Sequence, residues 1–420
     1  MQKKIIVLAV AAAIPALLIT PSVWAAADSI TGALTSGKTS ANVQYRYEDV
    51  ATGAATANKG TAYTVRLRLG YTTDTYNGFG AMVEAESVKS LNKKQSKGYN
   101  STTNGNTTRA TVLDPEITEI NQAYLSYGGF ADTTVKYGRQ RLILDNARFI
   151  GNVGWRQNEQ TFDALTFVNT SLPTTSITVG QIYNVNRVVG DNAGAAGNHK
   201  MNSTIVNANY KGFGFGELVG YYYKLNYDTN SGQIANSSNT TGLRLNGSTA
   251  MADNKLLYTA EFATQKGAGT NPITYSARYT FVEGGIDVTN MAVFKLGYEV
   301  LGADSTNTTK SFQTPLATLH AFNGWADKFL ATPAQGLKDT YVSVGGKAAG
   351  VNLLGVYHTY KADRTTAALS SYGKELNLLA AYPIDKNYAV GLKYAKFTAD
   401  TAYGAANDTK KTWLWGEFKF

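Results

Sequence analysis

A cluster of arginines in one segment is the clearest candidate for ligand chemistry in this 420-residue sequence. The segment runs from residue 138 to residue 164 and contains Arg139, Arg141, Arg148 and Arg156, four of the twelve arginines of the chain. A guanidinium group can bind a carboxylate through two parallel hydrogen bonds. We therefore predict that these four side chains attract and bind anionic solutes.

Acidic residues in the same segment leave a second interpretation open. Asp145, Glu159 and Asp163 alternate with the arginines, so Arg141 and Arg148 could form a structural network with them and have no role toward solutes. The segment also carries Leu, Ile, Phe and Trp side chains, which would be costly in water. We therefore expect the segment to fold into a pore and pack on its wall, where Asp145 would lie with the arginines.

The composition gives little support to catalysis. The chain has no cysteine, and its three histidines are His199, His320 and His358. None of them stands at a spacing that would pair it with a serine nucleophile or with a second metal ligand. The sequence therefore predicts a protein that is not an enzyme and that needs no metal or other cofactor.

The elements that carry these residues have the pattern of β-strands. In residues 63–71 every odd position is apolar or aromatic, whereas the even positions are Thr, Arg, Arg and Gly. A period of two is typical of a strand with one apolar and one polar face. Eighteen segments have this pattern, and their approximate spans are 40–47, 63–73, 79–87, 118–127, 132–140, 162–168, 176–184, 200–210, 215–227, 241–250, 255–264, 273–281, 289–299, 339–347, 351–360, 374–382, 387–397 and 411–420.

The connections between these segments alternate in length. Those after even-numbered segments are short, as at 74–78 and 282–288. Those after most odd-numbered segments are longer and rich in Asn, Thr, Ser and Gly, as at 88–117 and 300–338. Short periplasmic turns, long extracellular loops and an even strand number are typical of outer-membrane barrels. The fold class is therefore predicted as all-β, a transmembrane antiparallel up-and-down β-barrel of eighteen strands, with sixteen as the alternative.

The first 27 residues have the features of a secretory signal peptide. Two lysines precede an apolar run at 5–19, and small residues follow it. This run is too short for a membrane-spanning helix but typical of a signal peptide. Cleavage after Ala27 is favoured over cleavage after Ala25, and it leaves residues 28–420 as a single barrel domain in the bacterial outer membrane.

The end of the chain predicts partners of the barrel. One face of the last segment is formed by Thr412, Leu414, Gly416, Phe418 and the final Phe420. This face resembles the carboxy-terminal aromatic signal by which bacterial barrels are recognised for insertion, so the barrel-assembly machinery is an expected partner. Outer-membrane lipid and lipopolysaccharide are the others. Nucleic acid is not expected, and the sequence leaves monomer and homotrimer open.

A barrel assigns an environment to each face of a strand, and this assignment locates the charged residues. A Lys or Arg that faces lipid at mid-bilayer costs about 2–4 kcal/mol. Charges in the middle of a strand should therefore face the lumen. The residues assigned to the lumen in this way are Arg46, Arg66, Arg68, Lys224, Arg244, Arg278 and Lys393, together with Glu84 and Glu86.

The short connection at 74–78 predicts how two of these groups pair. Folding the third segment back on the second would set Glu84 near Arg68 and Glu86 near Arg66. Basic and acidic residues that face each other in a polar lumen indicate a water-filled pore with a transverse field. The alternative is that each pair only neutralises charge in a filled lumen.

Two blocks of the sequence resemble a known family. The first lies within 136–164 and contains Gly-Arg-Gln-Arg, Leu-Asp-Asn-Ala-Arg-Phe-Ile-Gly and Trp-Arg-Gln-Asn-Glu-Gln-Thr-Phe-Asp-Ala, and the second spans 314–329. Both are similar to proteobacterial porins related to the alginate-export outer-membrane family. The resemblance implies an eighteen-stranded channel whose arginine-lined lumen passes an anionic polysaccharide. The lining positions that it implies here are Arg139, Arg141, Arg148 and Arg156.

These observations together predict a porin that lets small hydrophilic solutes diffuse passively. Removal of the signal peptide takes away two lysines, which leaves 37 basic against 30 acidic residues, a formal charge of +7. Selectivity in a pore follows from its width and from the charges along it. We therefore expect a preference for anions such as carboxylates and acidic sugars. The alternative is a non-conducting barrel that acts through its long loops as a structural or adhesin-type surface.

Overall fold

The chain folds into one closed antiparallel barrel. The computed structural model describes residues 27–54, 58–92 and 98–420. Each strand pairs with the next along the chain, and the last strand pairs with the first. The strands are β1 (Lys38–Thr52), β2 (Gly60–Thr72), β3 (Phe79–Ser90), β4 (Ile117–Phe130), β5 (Thr133–Gln140), β6 (Thr161–Asn169), β7 (Thr175–Asn186), β8 (Asn198–Phe213), β9 (Gly216–Leu225), β10 (Ser238–Met251), β11 (Asn254–Gly267), β12 (Ser276–Val288), β13 (Ala292–Leu301), β14 (Leu337–Ala348), β15 (Val351–Lys361), β16 (Ser371–Pro383), β17 (Tyr388–Ala399) and β18 (Thr409–Lys419).

The predicted fold class is confirmed, with eighteen strands rather than sixteen. Each strand overlaps one of the eighteen predicted segments. Within the described ranges, the helical content is the α-helix α1 (Ile30–Thr35) and four short 3₁₀ segments, namely Asp191–Ala196, Thr229–Ser231, Ile234–Asn236 and Ala405–Asn407. None of the helices in the described ranges has the length and apolar character needed to cross a membrane. The predicted signal peptide falls on residues that, except for Ala27, lie outside the described ranges, and it stays a prediction.

The hairpin between β2 and β3 has a different register from the predicted one. Arg68 lies opposite Glu86, and Glu84 lies opposite Gly70. The apex of the turn is at Asn77 and Gly78, which both have positive φ, 50° and 82°, as a two-residue hairpin turn requires. The hairpin is therefore centred on residue 77 instead of 76, which shifts the partners by two residues, so the predicted pairs of Arg68 with Glu84 and Arg66 with Glu86 are wrong.

The predicted turn at 282–288 is also wrong, because these residues form the second half of β12. The chain turns at residues 289–291 instead, where Asn290 has a φ of 62°. Within this segment, Gly284 and Gly285 pair with Leu296 and Lys295 on β13. A Cβ at position 285 would lie 2.7 Å from the carbonyl oxygen of Phe294, so a glycine here allows close approach of the strands.

The outward face of the barrel is apolar, as a lipid-facing surface must be. Leu125 on β4 and Tyr137 on β5 lie directly opposite each other and are 63% and 60% exposed. Near the periplasmic ends of β17 and β18, the rings of Tyr388 and Phe418 stack with centroids 5.0 Å apart. Phe420 is exposed on the same outward face. Aliphatic bands flanked by aromatic rings are characteristic of outer-membrane barrels.

Candidate functional site: the lumen and its inward loops

Two long loops fold into the lumen. The first inward loop, residues 141–160, connects β5 to β6, and the second inward loop, residues 302–336, connects β13 to β14. Phe149 of the first loop packs on the rings of Tyr221 and Tyr279 of the wall, with centroids 5.0 and 5.5 Å away. The apolar side chains of this segment are thereby removed from water, as the sequence predicted.

The two inward loops are bonded to each other through their backbones. The N–H of Gly151 donates to the carbonyl of Leu316 at 2.9 Å, and the N–H of Thr318 donates to the carbonyl of Ala147 at 2.9 Å. Ala147 has a φ of 62°, a left-handed conformation that costs free energy for a residue with a Cβ. The loops therefore form one unit across the lumen.

Glu159 is the centre of the first charge cluster. Nε of Arg141 lies 2.8 Å from both carboxylate oxygens of Glu159, and Nη1 of Arg68 lies 3.3 Å from Oε1. Arg68 also pairs with Glu86, and Nη2 of Arg141 lies 2.9 Å from Oε1 of Glu84. Burial alone would raise the pKa of Glu159, but the two guanidinium groups hold that pKa well below its usual range. Glu159 is therefore ionised between its two arginines.

Arg66 and Arg141 differ in how much of each reaches water. Arg66 is almost fully buried, and it donates to Oδ1 of Asn42 and to the carbonyl of Gln157. The side chain of Arg141 remains 30% exposed, although it contacts two carboxylates. Among the arginines of the first inward loop, Arg141 therefore presents the most accessible guanidinium to the space of the lumen.

Arg156 is the centre of a second cluster, and its three carboxylate partners come from three different elements. Its guanidinium lies 2.8 Å from Glu48 of β1, 3.1 Å from Asp327 of the second inward loop and 3.9 Å from Asp114 of the loop between β3 and β4. Asp327 also binds Nζ of Lys411 at 2.6 Å. The cluster ties both inward loops and an outer loop to the wall at β1 and β18.

An aromatic cage holds Lys393 next to this cluster. Its Nζ lies 3.9 Å from the ring centroid of Trp155 and 4.0 Å from that of Trp325, one ring from each inward loop. His320 stacks on Trp155 with centroids 4.9 Å apart, and its Nε2 lies 2.9 Å from Nζ of Lys393. The sequence assigned Lys393 to the lumen by phase, but no sequence pattern identified its aromatic partners, because they come from distant loops.

The remaining predicted lumenal residues contact the side of the lumen that is formed by β8 to β13. Arg148 donates from Nε to Oε1 of Glu299 on β13 at 2.7 Å. Arg244 on β10 pairs with Glu261 on β11 at 2.7 Å. Asp145 is exposed at the start of the first inward loop and accepts a hydrogen bond from the amide of Asn207 at 2.7 Å. The predicted network of Arg141, Asp145, Arg148, Glu159 and Asp163 is therefore divided, and only Arg141 and Glu159 pair within it.

Arg139 faces outward, which contradicts its prediction as a lumenal residue. It is in phase with the exposed Tyr137 on β5, and Asp163 lies directly opposite on β6. Its Nε donates to Oδ1 of Asp163 at 2.9 Å. Strand β5 ends at Gln140, so Arg139 sits near the extracellular rim, where an outward charge costs only about 0–1 kcal/mol.

Arg278 also faces outward, together with Lys224, and their predicted lumenal positions are wrong. Arg278 is exposed, whereas its neighbours Ala277 and Tyr279 are buried on the lumenal side. Lys224 is exposed in the same way beside the buried Tyr223. The prediction took the polar phase of each strand for the lumenal one, but here tyrosines face the lumen and support the inward loops.

Basic and acidic side chains are unevenly distributed around the lumenal wall. Strands β17, β18, β1 and β2 carry five basic side chains beside the acidic Glu48 and Glu417, whereas strands β11 to β16 carry five acidic side chains beside the basic Lys295. The basic residues are Lys393, Lys411, Arg46, Arg66 and Arg68, and the acidic ones are Glu261, Glu283, Glu299, Asp339 and Glu375. Such an arrangement can orient and select charged solutes by a field across the lumen.

Comparison with protein families identifies the chain. The model of the family described as alginate export matches residues 38–314. The match covers more than half of the chain, so the protein belongs to this family. The prediction of a proteobacterial outer-membrane porin related to the alginate-export family is confirmed, as is the outer-membrane location. This membership agrees with the expectation of a transport protein rather than an enzyme. A search of curated proteins finds no match.

Solved structures share the fold at low sequence identity. A BenF-like porin from Pseudomonas fluorescens Pf-5 is 14% identical with a TM-score of 0.72, over 93% of this chain and 100% of that one. OccAB4 from Acinetobacter baumannii is 14% identical with a TM-score of 0.70, over 91% and 97%. OpdK from Pseudomonas aeruginosa, solved with vanillate, is 13% identical with a TM-score of 0.68, over 92% and 98%.

Proposed function

We propose that this member of the alginate-export family is a passive, anion-preferring channel for small carboxylates, including acidic sugars. The first inward loop would narrow the lumen, and the guanidinium of Arg141 would be the group that a passing anion contacts first. Arg68, Arg148 and Arg156 would keep the loop in place through their ion pairs, and the remaining lumenal charges would set the field around it.

One observation carries this proposal. Arg141 lies in the lumen with nearly a third of its side chain accessible, whereas the carboxylate that it shares with Arg68 is fully buried. The surface that this cluster presents to water is therefore basic, although its charges are largely paired. On the lumenal face of β5, Nζ of Lys136 lies 4.8 Å from the ring centroid of Tyr124. This ammonium group adds a second cation, closer to the periplasm than Arg141.

The proposed solute class also rests on similarity. The family takes its description from alginate, which is a polymer of carboxylated sugars, and OpdK was solved with vanillate, an aromatic carboxylate. Both are anions that a guanidinium can bind through two hydrogen bonds. A carboxylate entering the narrowed lumen would exchange water for the exposed face of Arg141.

Conductance in planar lipid bilayers tests the proposal. The purified protein should insert with stepwise increases in current, and its reversal potential under a salt gradient should indicate anion preference. Sodium vanillate and sodium glucuronate, added to one side, should reduce the chloride current by occupying the lumen. A cation-selective reversal potential would contradict the anion preference.

The alternative of a non-conducting barrel is favoured by one specific observation. Both inward loops pack against the wall with buried aromatic residues, and the acidic partners of Arg148 and Arg156 leave no free charge at those positions. A lumen filled in this way would be closed to solutes. Absence of stepwise conductance from folded protein would therefore support a structural or adhesin-type barrel and would contradict the channel.

A further inference from the structure

The outward face carries a band of basic residues at the extracellular end of the barrel. On strands β14 to β18 these side chains lie within four residues of the extracellular strand end. They are Lys338, Lys361, Lys374, Lys396 and Lys410. The lumenal charges of the same strands do not account for them, because they point to the opposite face.

Three of these lysines form a compact cluster without acidic partners. Lys396 on β17 lies directly opposite Lys410 on β18. Lys374 on β16 lies opposite Thr398, so it is diagonal to Lys396 on the same face. All three are exposed, and within the described ranges no carboxylate lies at ion-pair distance from them. On the neighbouring strand β1, the outward acid closest in register to Lys410 is Asp49, which is bound to Lys59 at 2.9 Å.

Like charges directly opposite each other on neighbouring strands are destabilising. An arrangement of three lysines on adjacent strands is therefore unfavourable unless an anion lies between them. Phosphate groups satisfy several ammonium groups at once, because each has three acceptor oxygens. The cluster thus has the charge and the geometry of a phosphate-binding surface.

The depth of the cluster identifies where that phosphate must be. Below Lys410 on the outward face come Thr412 and then Leu414, and below Lys396 come Tyr394 and then Leu392. The order from charged to intermediate to aliphatic follows the change from lipid headgroups to acyl chains. Lysine stems can lie along the apolar surface while their ammonium groups reach the headgroups.

The opposite rim has no matching band. At the periplasmic ends of β14 to β18, the outward positions of the described residues are apolar or aromatic, as at Val344, Leu353, Tyr382, Tyr388 and Phe418. On the strands near that rim, Lys347 of β14 and Lys419 of β18 alternate with these outward positions and belong to the lumenal phase, and Lys386 lies in the turn between β16 and β17. The basic band is therefore specific to one leaflet of the membrane.

We propose that Lys374, Lys396 and Lys410 form a binding site for the phosphate groups of lipopolysaccharide in the outer leaflet. The ammonium groups of the three strands bind the phosphorylated sugar headgroup, and its acyl chains lie along Leu376, Leu392 and Leu414. This site is independent of conduction, because it lies on the outer face of the barrel and uses no lumenal residue.

Binding of diphosphoryl lipid A to the purified, folded protein in detergent tests this site. The variant Lys374→Gln, Lys396→Gln, Lys410→Gln should bind about tenfold more weakly or worse, since each lysine near an anionic lipid surface contributes to binding. Wild-type protein should bind dephosphorylated lipid A with a similar loss. The matched control is Lys255→Gln, Lys347→Gln, Lys386→Gln, which removes the same charge at the periplasmic rim.

The control variant should bind diphosphoryl lipid A as wild type does. Circular dichroism confirms that both variants retain the β-barrel, so that loss of binding reports on the site and not on the fold. Equal binding by wild type and the Lys374, Lys396 and Lys410 variant would overturn the proposal. So would equal binding of phosphorylated and dephosphorylated lipid A, or an equal loss in the control variant, which would indicate a nonspecific effect of net charge.

Discussion

Arg148 and Glu299 join the first inward loop to the far wall of the barrel, with Nε of Arg148 2.7 Å from Oε1 of Glu299. The loop leaves the wall at β5, and Glu299 lies on β13, eight strands further around a ring of eighteen. The first inward loop therefore extends across nearly the full width of the lumen to reach Glu299. Asn323 of the second inward loop accepts from Nη2 of Arg148 at 3.1 Å, so the same arginine holds both loops.

Release of this ion pair should widen the lumen. In the double variant Arg148→Gln, Glu299→Gln, the first inward loop loses its charged attachment to β13, while neither side chain is left as an unpaired buried charge. We expect single-channel conductance to increase about twofold, because pore width sets the flux. The measurement is single-channel recording in planar bilayers at fixed salt.

Arg244→Gln, Glu261→Gln is the matched control for this experiment. It removes an ion pair of the same type and length that links two neighbouring wall strands and no inward loop. Its conductance should remain close to that of wild type. Equal conductance of the Arg148, Glu299 variant and wild type would show that the loop does not limit the current.

The register of β2 and β3 predicts which arginine is coupled to Glu86. In a double-mutant cycle, Arg68→Met and Glu86→Gln should show an interaction energy within about 0.5–3 kcal/mol, because their side chains form a buried ion pair. The cycle of Arg66→Met with Glu86→Gln is the control and should give a smaller value. The measurement is reversible urea unfolding in lipid vesicles, and a larger coupling for Arg66 would indicate the register shifted by two residues.

Asp304 should make the second inward loop sensitive to acid. Burial alone would raise the pKa of Asp304, but backbone N–H donors of Asn307, Ser276 and Thr306 lower this pKa to about 2. A lowered pKa stabilises the folded state above the usual aspartate pKa, and this contribution is lost as the pH falls through the folded value. We expect Asp304→Asn to lower the thermal unfolding midpoint at pH 7.

The difference between wild type and Asp304→Asn should shrink as the pH falls from about 4 to about 2, since the wild-type carboxylate becomes protonated over that interval. Thermal unfolding followed by circular dichroism at several pH values measures this difference. A difference that stays constant down to pH 2 would show that the ionised carboxylate contributes no stability.

The strands could be predicted from the sequence because their signal is local. Alternation over ten residues, as in 63–71, depends only on which face meets lipid, and every strand of the barrel has this requirement. The register of a hairpin is harder to predict from the sequence, because it depends on the φ values of two turn residues. Asn77 and Gly78 set the centre of the hairpin after β2 one residue later than the centre of a connection at 74–78.

The lumenal clusters could be predicted only in part. The apolar residues of the first inward loop predict a segment that is removed from water, and Arg141 pairs with Glu159 within the same loop. The partners of Arg148 and Arg156 come from distant strands, and no short-range pattern contains that information. The prediction for Arg278 is wrong because the polarity of a strand face does not show what that face meets. Polar side chains can face lipid headgroups at the rim while tyrosines of the same strand line the lumen.

The reversal potential of Arg141→Gln, compared with wild type, tests the central claim most directly. The account predicts an anion-preferring wild-type channel and a shift toward cations in Arg141→Gln, because the most accessible guanidinium of the first inward loop is removed while Glu84 and Glu159 remain. Arg278→Gln loses the same charge from the outer face and should keep the wild-type value. An unchanged reversal potential in Arg141→Gln, or an equal shift in Arg278→Gln, would contradict the account.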